Sequence, residues 1–152
     1  MIIGFAGMTH LGINTAVATA EKGWEVIGYD ENIEIVNNLH KNQLSINEPN
    51  LDLFFEKNHE RLSFTNNIND LSVCDVIYIA KDVPTNNNGE SNLEPIDLLI
   101  NKVKSIIHPK TNLVILCQVP PGYTRSINIE NNENIFYQVE TLIFGKAMDR
   151  AL

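Results

Sequence analysis

Gly7, Thr9, Gly12 and Asp30 have the types and spacing to hold a phosphorylated ligand. They lie in the stretch "IIGFAGMTHLGINTAVATAEKGWEVIGYD", Ile2 to Asp30. Gly7-Met8-Thr9-His10-Leu11-Gly12 joins a short apolar run to a stretch with helical spacing. In such a loop the first glycine permits a tight turn. The second lets a pyrophosphate approach the backbone, and the third lets helix and strand pack closely. Gly7 and Gly12 hold the first and third places, and Thr9 holds the second. The free N–H groups and positive dipole end of the following helix favour an anion. The Thr9 Cβ crowds that approach, while its hydroxyl is able to donate to a phosphate oxygen. Asp30 ends the second apolar run, 23 residues after Gly7, against an expected spacing of about 20. A carboxylate there accepts from ribose hydroxyls and repels a 2′-phosphate, which favours NAD over NADP. Taken singly, the loop also fits a ligand-free turn and Asp30 an ordinary capping aspartate. Together they favour a dinucleotide.

These residues need a scaffold of alternating strands and helices, and the sequence supplies one. Apolar runs "MIIGFA", "WEVIGYD", "RLSFT", "CDVIYIA", "TNLVILCQV" and "NIFYQV" read as six strands. Between them, "LGINTAVATAEKG", "ENIEIVNNLHKN", "LDLFFEKN" and "LEPIDLLINKVKSII" read as helices, the last with Pro95 in its first turn. "NNINDLSV" reads as a short helical turn, "PPGYTRSIN" as a turn and short helix, and "ETLIFGKAMDRAL" as the start of a final helix. Trp24 is expected in the core. The alternation predicts an α/β fold, a Rossmann-type doubly wound and mostly parallel sheet with helices on both faces. Ligands of such sheets bind at the carboxyl ends of the strands. That places Glu140, at the junction after the sixth strand, within reach of a substrate as an acid/base group. An N-terminal helix glutamate explains the same position equally simply.

The composition excludes several classes. The chain has 152 residues, 43% hydrophobic, with a net charge of −8. That size and apolar content support one domain over residues 1–152. No basic stripe supports nucleic-acid binding. No apolar run approaches the length of a membrane span, and the N-terminus lacks a basic leader, so a cytoplasmic setting is expected. Cys74 and Cys117 fit neither a metal spacing nor a disulfide framework. Cys117 reads as packing rather than a nucleophile. The four histidines show no ligand spacing, and no metal is expected. Glu48, before Pro49, is either an ordinary turn residue or one that orients a loop.

Four further pieces follow in order: "INEPNL" at 46–51, "VPT" at 83–85, "QVPPG" at 118–122 and "YQVETLIFGKA" at 137–147. With the glycine loop, this series resembles the N-terminal NAD-binding domain of the UDP-glucose/GDP-mannose dehydrogenase family over almost the whole chain. The resemblance implies oxidation of the C6 hydroxyl of a nucleotide sugar to a carboxylate, in two NAD-dependent steps, and a place in polysaccharide biosynthesis. It implies that the His10 and Leu11 backbone faces the pyrophosphate and that Asp30 holds the ribose. Val83 and Thr85 would border the adenosine, and Gln118 the cofactor. Glu140 would act as general acid/base in thioester hydrolysis. The family's nucleophilic cysteine, its dimer-forming helix and its nucleotide-sugar pocket lie in a second half. A fragment of a longer enzyme, incomplete on its own and homodimeric at full length, is therefore expected.

Some positions depart from the family pattern. Besides Thr9, Ile35 stands near a usual basic residue, Gln118 replaces a threonine, Val139 a proline and Phe144 a glutamate. Two other readings compete: a stand-alone regulatory or interaction protein with a degenerate site, and a β-hydroxyacid dehydrogenase. "INEPNL" and "QVPPG" argue against the latter.

Overall fold

The computed structural model describes residues 1–128 and 134–152. Its strands are β1 (Ile2–Ala6), β2 (Glu25–Tyr29), β3 (Leu62–Thr65), β4 (Val76–Ile79), β5 (Asn112–Ile115) and β6 (Ile135–Tyr137). Its α-helices are α1 (His10–Glu21), α2 (Ile33–His40), α3 (Leu51–Lys57), α4 (Glu94–Lys104), α5 (Tyr123–Ser126) and α6 (Ala147–Ala151). The six strands form one parallel sheet in the order β3-β2-β1-β4-β5-β6. The order reverses between β1 and β4, which makes their carboxyl ends the ligand-binding crevice of a doubly wound sheet.

Local chemistry explains the elements that frame this crevice. The small residues Ala16, Ala18 and Ala20 let α1 lie close in, and each is fully or almost fully buried. The helix stops at Gly23, where φ is +93°. The side chain of Asn32 caps α2 by accepting from the Glu34 N–H at 2.9 Å. Ile77, Ile79, Leu113 and Ile115 of the central strands are completely buried, as expected for a sheet covered on both faces.

Two expectations need correction. Trp24 is 40% exposed rather than core. It lies in the turn after Gly23, before β2 begins, so the sheet does not cover it. The helix expected from Glu140 starts only at Ala147. Contacts described below hold residues 138–146 as a loop.

Candidate functional site

The glycine loop has the shape that its residue types demand. Gly7 takes φ +100°, and a Cβ there would lie 2.7 Å from the Cβ of Lys81. A Cβ on Gly12 would lie 1.8 Å from the Gly7 carbonyl oxygen. Both positions therefore exclude side chains, so the loop and α1 pack closely against the ends of β1 and β4. Met8 contributes only backbone to this surface. Its side chain is fully buried and packs against β2 at Gly28.

Asp30 is 5% exposed, just beyond β2. Its Oδ2 accepts the Met8 N–H at 2.8 Å, and its Oδ1 accepts the Asn32 N–H at 2.9 Å. The carboxylate thus fixes the glycine loop to the start of α2. Beside it, Glu31 meets Lys102 at 2.7 Å and Lys81 at 3.0 Å. Hydrogen bonds from Lys102 and then Lys81 pull the Glu31 carboxyl down to about 2.

Thr9 does not cap α1. It occupies the N-cap position but makes no side-chain cap bond. Its hydroxyl oxygen instead accepts the Asp82 N–H at 2.9 Å and lies 3.5 Å from the Ala80 carbonyl. The first N–H of α1, on His10, donates to Asp82 Oδ2 at 3.1 Å. The side chain of Asp82 therefore sits on the first N–H of α1, next to Thr9.

Of the residues singled out by sequence, His10, Leu11, Val83, Gln118 and Glu140 line one cavity of about 180 Å³. Asp82, Leu142 and Phe144 complete it. Thr85 stands apart, in an exposed turn where it bridges to Ser91. Glu140 is held by two donors, the Gln118 amide at 3.1 Å and the Leu142 N–H. Cys117 is buried at the end of β5. Burial pushes its thiol up to about 12, which suits packing and not nucleophilic attack.

Glu48 does far more than shape a turn. It is 4% exposed. Its carboxylate accepts from the Gly145 N–H at 2.8 Å and the Ala147 N–H at 3.4 Å, and meets His10 Nε2 at 2.8 Å. The hydrogen bond to His10, opposed by burial and helped by the two backbone N–H groups, holds its carboxyl below the usual range. The His10 ring also lies 4.4 Å from the Phe144 ring. One buried carboxylate thus joins the loop before α3, the glycine loop and the loop before α6. Asp82 escaped sequence reading. Its one signal was an acid two residues past the Ala80 end of a central strand, beside the crevice.

Among the described residues no group of three or more His, Cys, Asp or Glu stands ready to hold a metal. No described helix is long and apolar enough to cross a membrane. The glycine cradle, the α1 terminus and the Asp30 carboxylate fit a dinucleotide.

Comparison with known proteins agrees. Residues 1–143 match the model described as "UDP-glucose/GDP-mannose dehydrogenase family, NAD binding domain". A UDP-N-acetyl-D-mannosamine dehydrogenase of Pyrococcus horikoshii is 25% identical over 129 residues, covering 84% of this chain and 31% of that protein. A UDP-glucose 6-dehydrogenase of Rickettsia bellii is 30% identical over 130 residues, covering 84% and 30%. Among solved structures, the UDP-D-ManNAc dehydrogenase of Pyrococcus horikoshii superposes with a TM-score of 0.90 at 23% identity, over 99% of this chain and 38% of that one. A UDP-glucose dehydrogenase of Pyrobaculum islandicum gives 0.85 at 27% identity, over 97% and 38%. The chain spans about 30% of the length of these curated relatives.

Proposed function

This chain belongs to the UDP-glucose/GDP-mannose dehydrogenase family through its NAD-binding domain, and on that premise we propose that it is the cofactor half of a nucleotide-sugar 6-dehydrogenase. The activity requires a substrate-binding half, because the chain matches only about 30% of relatives such as the UDP-glucose 6-dehydrogenase of Rickettsia bellii. NAD, when bound, supplies the hydride acceptor. The chain's own residues bind and orient it. Asp30, aimed by two backbone N–H bonds, accepts from the adenosine ribose. The His10 and Leu11 backbone at the α1 terminus receives the pyrophosphate. Gln118 and Glu140 stand together at the far end of the cavity. There Glu140 is placed to move a proton in the hydrolytic step.

The observation that carries this reading is the 2.8 Å bond from the Met8 N–H to Asp30 Oδ2. It joins the phosphate loop and the ribose carboxylate into one rigid unit. Calorimetric titration with NAD and NADP tests it. NAD should bind more tightly than NADP, and Asp30→Ala should lose at least tenfold in NAD affinity. Equal affinity of that variant, with its fold intact, would remove Asp30 from the site.

A further inference from the structure

We propose that Asp82 sets the cofactor affinity of this domain, because its carboxylate occupies the helix terminus that the pyrophosphate must take; the inference rests on the NAD reading above. Three observations carry it. The first is chemical. The first N–H of α1 already donates to a carboxylate, Asp82 Oδ2, at 3.1 Å. A carboxylate and a phosphate oxygen compete for the same donor and the same dipole end. The second is that Asp82 is held in place. Its backbone N–H is fixed by the Thr9 hydroxyl at 2.9 Å. Its neighbour Lys81 packs its backbone on Gly7 and reaches across to Glu31 at 3.0 Å. Consecutive side chains of one loop thus bind both sides of the crevice, Lys81 toward β2 and Asp82 toward α1. The third is place. Asp82 lines the same cleft as His10, Leu11, Gln118 and Glu140, so phosphates bound at the start of α1 meet its carboxylate.

Asp82 is exposed, so swinging into water is easy for the side chain itself. The cost to binding comes from the lost cap and from a negative charge left beside the incoming phosphates. Thr9 takes part by positioning the backbone of Asp82, which links the departure from the second glycine to the acid that stands over it.

The test compares the 152-residue chain with Asp82→Asn, which removes the charge and keeps an acceptor for the His10 N–H. Each is titrated by calorimetry with NAD and with adenosine, which lacks phosphates, and melted to check the fold. Asp82→Asn should bind NAD about tenfold more tightly, since a surface charge beside a phosphate is removed. Its affinity for adenosine should stay within about twofold. Equal or weaker NAD binding by Asp82→Asn, while Asp30→Ala still loses at least tenfold, would overturn this inference and leave the NAD reading standing. An equal gain for adenosine would also overturn it, because the effect would not lie at the phosphates. No NAD binding by either chain would overturn both.

Discussion

Asp30 and Phe144 stand on opposite sides of one crevice, and the fold treats them in opposite ways. Asp30 is 5% exposed and bonded on both oxygens to backbone N–H groups. Phe144 is 82% exposed and touches the ring of His10. The α1 side is made from the ends of buried strands, where each group has one allowed place. The β6 side is a loop, and Val139 and Ile143 on it are also exposed, at 67% and 52%. Glu48 ties that loop to the fold from 97 residues away in sequence. The difference separates two tasks. A bound group is best held by rigid backbone, whereas an exposed rim keeps side chains that are still free to pack.

The contrast predicts unequal responses to substitution. The largest belongs to the α1 side. Gly12→Ala places a Cβ where only 1.8 Å separates it from the Gly7 carbonyl oxygen, an atom that cannot rotate away. We expect a loss of about 3 kcal/mol, at the upper end for overpacking, together with loss of NAD binding. Urea unfolding measures the first and calorimetry the second. Near-normal stability would show that the loop is softer than its packing implies.

Glu48→Gln should act at an intermediate level, because it weakens a buried tie between the two sides. Hydrogen bonds to a buried charged group support a loss of about 2 kcal/mol. The effect carries a pH signature. An unfolded glutamate titrates near 4.5, and in the folded chain the His10 bond, then the backbone N–H groups, lower that value. Stability from this carboxylate is therefore complete above about 4.5 and is lost as pH falls through the lower folded value. The gap between wild type and Glu48→Gln should narrow in acid. A gap that stays constant in urea melts from pH 7 to pH 3 would show that the charge does not matter.

The smallest effect belongs to the rim. Phe144→Ala removes an exposed ring and should change stability by less than about 0.5 kcal/mol. A thermal melt that falls by many degrees would show that the rim carries the fold and would break the comparison.

Most of the architecture was readable because strands and helices announce themselves by apolar period. The apolar run that ends "CDVIYIA" read as a central strand, and the spacing from Gly7 to Asp30 spans one helix and the strand after it. The parts that were not readable are set by contacts between distant residues. The stretch after Glu140 has the composition of a helix. It stays a loop because the Leu142 N–H turns back to Glu140 and the Gly145 N–H goes to Glu48. Local propensity gives way to such partners. Asp82 was hidden for the same reason. Its identity is plain in the sequence, but its bond to α1 depends on how the loop after β4 lies over Gly7. Thr9 could be read as crowding a phosphate, yet nothing local said that its hydroxyl would turn toward Asp82.

The central claim is that NAD sits against the start of α1, between Asp30 and the loop after β4. Backbone amide shifts recorded during an NAD titration of the isotope-labelled chain test it most directly. The account predicts the largest shifts at Met8, His10, Leu11 and Asp82, with Asp82 moving because it leaves the His10 N–H. Shifts confined to the β6 rim, with the glycine loop unmoved at saturating NAD, would contradict it.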